Sequence, residues 1–510
     1  MSERPQLARL VNGQAIDRAA IPVLDVEAFG QALADGVAAG QRVSALFGMA
    51  SPAADAVRLH AVLADDARSV LFAAAADVTQ REYPSFTPRC PQAHLFEREI
   101  AEQFGVRPLG HPWLKPVRYR RSWTGHDAWG RAADADIPPA VGDFYRVDGD
   151  QVHEVAVGPV HAGVIEPGHF RFQCVGERVH HLEIALGYQH RGVEEALIGG
   201  PDKRTIHLAE TLSGDATVAH ATAYCQTLEA LAGCTAGARP QAIRGIALEL
   251  ERIANHVGDL GALAGDVGFL PTASFCGRIR GDVLNMTAVL CGNRFGRGLV
   301  CPGGVAFDVE PARCADLLRR LDACERDIAS AVNLLWSTPS VMARFEDVGA
   351  VPGEVAAELG LVGPAARASG LGRDIRRDQP SGIFRFAQLP VATYESGDVF
   401  SRAYVRWLEI QASVAFIRDR LRSLPSGAVA GWGTGAPAPE RFAVALGEGW
   451  RGEVCHVAVT DTQGRFARYK VVDPSFHNWP GLAYALREQE VSDFPICNKS
   501  FNLSYCGQDL

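Results

Sequence analysis

No two of the twelve cysteines stand three positions apart, so the chain lacks the C-x-x-C pairs that build zinc ribbons and anchor iron–sulfur clusters. Cysteines spread this thinly do not make a disulfide scaffold either. Long apolar runs are also missing: none approaches the ~18–20 residues that cross a bilayer, and the opening MSERPQLARL has no apolar signal core. The expectation is a chain on the cytoplasmic side of the membrane. There is no excess of positive charge, since 50 Lys and Arg face 59 Asp and Glu for a net −9, which argues against nucleic-acid binding. A G-x-x-x-x-G-K-[ST] phosphate loop is absent, and the glycine-rich stretch Gly292 to Gly298 lacks the strand-to-helix setting of a dinucleotide fingerprint. NAD binding by this chain is therefore not expected. No internal repeat is visible.

What the chain does have is apolar material, 47% hydrophobic against 21% charged residues, enough for two to four domains. Residues 1–120 mix short apolar runs such as Ser69 to Ala75 with a helical stretch at Val26 to Ala39, which predicts a small α/β domain. A Gly-, Asp-, Ala- and Pro-rich segment without periodicity at 121–150 reads as a linker. Within 151–510, two extended runs folded at Val175-Gly176-Glu177 predict a hairpin. Ile246, Leu250, Ile253, Val257 and Leu260 are spaced as one stripe of an amphipathic helix, and so are Leu317, Leu321, Cys324 and Ile328. Phe400, Tyr404, Trp407, Val414, Ile417 and Leu421 form a third. Glu453 to Thr460 and Phe466 to Val472 flank a turn at Asp461-Thr462-Gln463-Gly464, a second hairpin beside the bundle. The fold class expected is α+β: a small α/β domain, then a mainly α domain with flanking antiparallel hairpins.

Phe96-Glu97-Arg98-Glu99-Ile100-Ala101-Glu102-Gln103-Phe104-Gly105-Val106, followed by Gly110-His111-Pro112, reads as a helix, a glycine stop and a turn. Taken alone, its alternating charges describe a solvated helix face. With Tyr83-Pro84-Ser85 upstream, the string resembles the signature of the C subunit of respiratory complex I. The second block runs through Gly158-Pro159-Val160-His161 and Glu166-Pro167-Gly168-His169-Phe170 to Gly187-Tyr188-Gln189-His190-Arg191-Gly192. Together with Leu248-Glu249-Leu250-Glu251-Arg252, Gly363-Pro364 and Gly397-Asp398-Val399-Phe400-Ser401-Arg402, it resembles the complex I D subunit and the large subunit of group 4 membrane-bound nickel–iron hydrogenases. The fused C/D arrangement is similar to the hydrogenase subunit of formate hydrogenlyase.

The resemblance implies four thiolates, two from each of two C-x-x-C pairs, because nickel bridged to iron needs soft anionic ligands. The early pair falls on Ser213 and Ala216, the late pair on Ser504 and Gly507, with Cys506 between. A serine hydroxyl is a hard, protonated donor, and alanine and glycine offer no ligand atom, so no metal is expected at these positions. The resemblance further implies a proton relay at Glu166 and His220, headgroup hydrogen bonds from His161 and His169 to a quinone, and electrostatic shaping by Asp215 and Arg451. Plainer readings stand beside these: a carboxylate fixed by backbone N–H groups, satisfied buried histidines, and Arg451 simply paired with Asp215. Gly214 falls where complex I carries its quinone-binding tyrosine, so that site is altered too.

The function implied is that of a peripheral-arm subunit that carries electrons from a small iron–sulfur partner, like the complex I B subunit, toward a quinone-like acceptor, coupled to ion movement in membrane-arm subunits. The iron–sulfur cluster belongs to the partner, and NAD to the parent complex. Two alternatives remain: a non-catalytic coupling scaffold, and an active group 4 hydrogenase with atypical ligands.

Overall fold

The computed structural model describes residues 6–51, 55–163, 165–429 and 435–510. Near the N-terminus, strands Ala8–Leu10, Val70–Val78, Val57–Asp65 and Arg42–Ala50 lie in that order in an antiparallel sheet, with Val23–Leu24 parallel to Val70–Val78. Helix Val26–Ala38 covers one face with Phe29 and Leu33, and starts where the Asp25 carboxylate accepts from Ala28 N at 2.8 Å. The expected helix at Val26 to Ala39 and the strand near Ser69 are both present.

Helix His94–Phe104 follows and stops at Gly105 (φ 65°), whose N–H returns to Ala101 O. A Cβ at Gly105 would stand 2.4 Å from His126 O, so the stop also lets the next segment lie against the helix. The solvated-face reading of this helix fails: Glu97, Glu99 and Glu102 are all buried. Glu97 accepts from Ser85 Oγ, Phe86 N and Thr87 N, and Glu102 from the N–H groups of Arg118 and Arg120. Glu99 takes Lys470 Nζ at 2.6 Å across the junction between the two parts of the chain. Buried carboxylates without such donors would be strongly unfavourable, which explains why the charges sit where the chain turns back on the helix.

Between strands Arg107–Leu109 and Val152–Val157 there is no helix or strand. This stretch follows the helix rather than leaving it: Trp123 N donates to Gln103 O, and Thr124 Oγ1 to Phe104 O. The hairpin His169–Val175/Arg178–Ala185 turns at Gly176 (φ 58°), and Val152–Val157 adds a third strand. Helices Ala238–Asp266, Pro311–Trp336 and Val399–Arg422 carry the three predicted stripes into one apolar core. Each fully buried Leu or Ile there contributes about 1.5–3 kcal/mol. The architecture is α+β, as expected from the sequence.

The second hairpin is one half of a larger sheet. Strands Phe466–Val472, Gly452–Thr460 and Arg441–Gly449 continue into Gln14–Asp17, with Val444 opposite Gln14 and Arg441 opposite Asp17. The N-terminal sheet packs on this one, and His60 is stacked between Phe47 and Phe442 at ring separations of 5.4 and 5.9 Å. Its interior, facing helix Thr217–Leu231, is where the candidate residues gather.

Candidate functional site

Three short segments converge. Ser213-Gly214-Asp215-Ala216 precedes helix Thr217–Leu231, Trp450-Arg451 forms the two-residue turn between strands Arg441–Gly449 and Gly452–Thr460, and Ser504 caps the short helix Tyr505–Asp509. The turn can be this tight because Gly452 has φ +132°, while Gly363 leaves its backbone room to approach. Arg451 and Asp215 meet as a bidentate pair, Nη1–Oδ1 at 2.6 Å and Nη2–Oδ2 at 2.8 Å, and Trp450 Nε1 donates to Asp215 O at 2.9 Å. Burial pushes the Asp215 carboxyl up, but the Arg451 guanidinium more than offsets it and holds the group below its usual range. Arg451 also donates to Asn502 O at 2.5 Å, tying the turn to the C-terminal segment.

Around this pair the hydroxyls are fully engaged. Ser213 Oγ donates to Asp215 Oδ1 at 2.9 Å and shares a 3.0 Å hydrogen bond with Ser504 Oγ, which accepts from Gly507 N. Ser504 Oγ lies 3.4 Å from Cys506 Sγ. Glu166 sits at the far end, its carboxylate accepting from the N–H groups of Tyr505 and Cys506 at 3.3 Å. The Cys506 thiol also hydrogen-bonds the Glu166 carboxylate, so side chains link Glu166–Cys506–Ser504–Ser213–Asp215. The backbone N–H contacts are those of the plainer reading of Glu166, a fixed carboxylate.

His220 lies deeper, with Nε2 3.1 Å from Asp473 Oδ2 and Nδ1 3.1 Å from His456 Nε2; His456 Nδ1 reaches Tyr469 OH at 2.9 Å. Burial drives the His456 imidazole well below its ordinary value, with the neighbouring His220 acting in the same direction. Asp473 Oδ1 also accepts from Ser475 N, and Ser475 Oγ from Ser504 N, joining this network to the first. His161 and His169 occupy a separate flank beside Phe170 and Phe144. His169 Nδ1 meets Gly158 O at 3.0 Å, but Nε2 of both histidines is buried without a partner. They are not fully satisfied core histidines.

Two participants escaped sequence reasoning. Glu251 lies in the Leu248–Arg252 motif yet its role was invisible there; its carboxylate accepts from Val218 N at 2.7 Å and Ala219 N at 3.3 Å. Burial raises its pKa to about 8 against those two donors, with Asp215 adding to the rise. Asp473 was missed because both its roles depend on distant segments: it meets His220 Nε2, and a Cβ at Gly507 would lie 2.6 Å from its Cγ.

Whether these residues suit a metal can be judged from their chemistry. Ser213 and Ser504 are hydrogen-bonded to each other, Ala216 has no donor, and the space beside Gly507 is taken by Asp473. Among the described residues no group of three or more His, Cys, Asp or Glu side chains is arranged to hold a metal ion. The donor set does not fit a thiolate-bound nickel–iron centre. None of the six predicted site residues lines the cavity between helix His94–Phe104 and helix Pro474–Ala485.

The α/β and helical parts are joined in one chain, with polar segments meeting at one end of the C-terminal sheet. Residues 21–131 match the family of the respiratory-chain NADH dehydrogenase 30 kDa subunit, and residues 266–441 that of the 49 kDa subunit. The chain is 31% identical over 450 residues to formate hydrogenlyase subunit 5 of Escherichia coli (strain K12), covering 85% of this chain and 78% of that one. It is 31% identical over 351 residues to the carbon monoxide-induced hydrogenase of Rhodospirillum rubrum, covering 69% and 97%. The fused C/D component of the NADH-quinone oxidoreductase of Gluconacetobacter diazotrophicus is 29% identical over 371 residues, 68% and 61%. The chain belongs to this family of complex I-like and hydrogenase-4-like core subunits. Among the described residues no helix is long and apolar enough to cross a membrane.

Proposed function

We propose that the chain is a peripheral-arm subunit of a membrane-bound oxidoreductase complex from which the nickel–iron centre has been lost, and that it passes electrons from a small iron–sulfur partner to a quinone-like acceptor on the cytoplasmic side. Membrane-arm subunits would couple this to ion movement. The observation that carries the reading is the chain of side chains from Glu166 through the Cys506 thiol, Ser504 and Ser213 to Asp215. Such a chain can pass protons by successive donor–acceptor exchange, and quinone reduction consumes two protons with two electrons. The unpartnered Nε2 atoms of His161 and His169 support a headgroup held by hydrogen bonds on that flank. His220, between Asp473 and His456, extends the proton path inward.

The test is Glu166→Gln in the assembled complex, with quinone turnover and proton uptake measured together. A loss of about 10²-fold or more in turnover is expected. A second reading, a coupling scaffold without substrate, is favoured by the closed Asp215–Arg451 pair. It predicts unchanged turnover for Glu166→Gln and for His161→Ala. Metal analysis of the purified chain separates both from an active hydrogenase with atypical ligands: nickel and iron near one each per chain would overturn the proposed loss.

A further inference from the structure

A cavity of about 370 Å³ lies between helix His94–Phe104, strand Arg178–Ala185 and helix Pro474–Ala485. It falls at the junction of the two parts of the chain, away from Glu166, Asp215 and His220, and is independent of the function proposed above. Its size is at the small end of the ~300–1,000 Å³ typical of ligand sites. Trp113, Phe476 and Trp479 give it aromatic walls.

One wall carries Arg98, the residue of the Phe96–Val106 motif that the junction leaves unused. Glu97, Glu99 and Glu102 of that motif are all engaged in structural hydrogen bonds. Among the described residues Arg98 has no ion-pair partner. Nε donates to Lys115 O at 2.8 Å and Nη2 to Pro116 O at 2.9 Å, while Nη1 lies 3.4 Å from His94 Nε2. A guanidinium has five N–H groups, so hydrogens on both Nη1 and Nη2 remain unpaired, the fork that takes a carboxylate with two parallel bonds. Burial pulls Arg98 below its ordinary value, and the more distant Tyr119, Glu102 and Glu183 do not restore it. Of the other charged groups lining the cavity or beside it, Glu183 pairs with Lys115 at 2.6 Å, burial holds His94 well below its ordinary value, and Arg487 is solvent-exposed over the Tyr484 ring. Three further polar atoms on lining side chains, His181 Nε2, His477 Nε2 and Trp479 Nε1, are buried without partners.

From the one cation on the inner wall that lacks an ion-pair partner, in an aromatic cavity with spare hydrogen-bonding atoms, we infer that this cavity binds a small planar apolar monoanion, a carboxylate held by Arg98 with its ring system between Trp113 and Trp479. The wall from Pro474–Ala485 and Gln508 of the C-terminal helix place the occupant against both parts of the chain at once.

The experiment uses the full chain with 2-naphthoate and its uncharged counterpart 2-naphthalenemethanol, read by isothermal calorimetry. Naphthoate is expected to saturate one site per chain and to bind about tenfold or more tighter than the alcohol, the ratio a charge-assisted hydrogen bond supplies. Arg98→Gln should erase that preference while leaving the alcohol bound, and Ala483→Trp, which fills the cavity, should abolish both. Equal binding of the two probes, no saturable binding, or a preference that survives Arg98→Gln overturns the inference. Should Arg98→Gln not fold, a crystal of the native chain with naphthoate decides: a carboxylate on Arg98 supports the site, and ordered water alone or binding elsewhere refutes it.

Discussion

Replacing Asp215 with Asn keeps the shape and one acceptor oxygen of the side chain but leaves the Arg451 guanidinium charged and unpaired. Breaking one half of a buried pair typically costs about 3–5 kcal/mol. Here the Arg451 side chain is 5% exposed and Asp215 33%, so solvent relieves part of the penalty and about 2 kcal/mol is the reasonable figure. That energy should appear locally, because the pair fastens a two-residue turn whose other ties are Trp450 Nε1 to Asp215 O and Arg451 Nε to Asn502 O. Hydrogen exchange followed by mass spectrometry, on peptides spanning the Trp450–Gly452 turn, should run about 30-fold faster in Asp215→Asn. The double variant Asp215→Asn/Arg451→Met removes the stranded charge and should recover most of the protection. The pH dependence carries a sign: the Asp215 pKa is depressed in the folded chain, so its contribution is present above the ordinary carboxylate pKa and is lost as pH falls through the folded value. The difference between native chain and Asp215→Asn should therefore be constant from about pH 5 to 8 and shrink below about pH 4. Unchanged exchange in Asp215→Asn, or a double variant as loose as the single one, would refute the reasoning.

Gly507→Ala should destabilise the C-terminal segment because its Cβ would fall 2.6 Å from Asp473 Cγ, and Gly507→Ala/Asp473→Ala should regain part of the loss; thermal melting of the four proteins reads this. His60 is held neutral by burial, which lowers its pKa to about 3 with Arg18 and Arg58 acting in the same direction. Its folded pKa lies below the unfolded value, so stability should be full above about pH 6.5 and fall toward pH 3, and His60→Leu should flatten this profile in denaturant titrations. Glu251 shows the opposite sign: with a pKa raised to about 8, its contribution falls as pH climbs from about 4.5 through 8, and Glu251→Gln should remove that decline between pH 6 and 9.

The helices were legible because their signal is long: Ile246 to Leu260 repeats the same spacing over four turns, and all five residues are buried in one core. Strand Gln14–Asp17 was not, since four residues whose only apolar members, Ala15 and Ile16, are adjacent carry no periodicity; only its register against Arg441–Val444 reveals it. Likewise a charged helix such as His94–Phe104 looks solvated until the groups that pair with Glu99 arrive from Arg118 and Lys470, hundreds of residues apart in one case. At the candidate site, hydrogen-bond partners were less legible than charge pairs. That Arg451 meets Asp215 follows from complementary charge, whereas the role of Glu251 depends on two backbone N–H groups that no sequence displays.

The distribution of unpaired atoms separates two halves of this site. Ser213, Ser504, Asp215, Arg451 and Asp473, which surround positions 213, 216, 504 and 507, have partners among themselves and their immediate neighbours. A pocket that had merely lost its ligands would leave hydroxyls and a carboxylate competing for water, at a cost of about 1–3 kcal/mol for each unsatisfied group. These residues form a self-consistent network instead, with Asp473 filling the space that a side chain at Gly507 would need. His161 and His169 differ, each with a buried Nε2 that none of the described residues pairs. On the function proposed, the residual chemistry therefore belongs on the histidine flank, and the serine–aspartate chain serves it with protons rather than binding a substrate itself. His169→Ala should then impair acceptor reduction through KM, and Ser213→Ala through kcat, a split that steady-state kinetics of the assembled complex resolves.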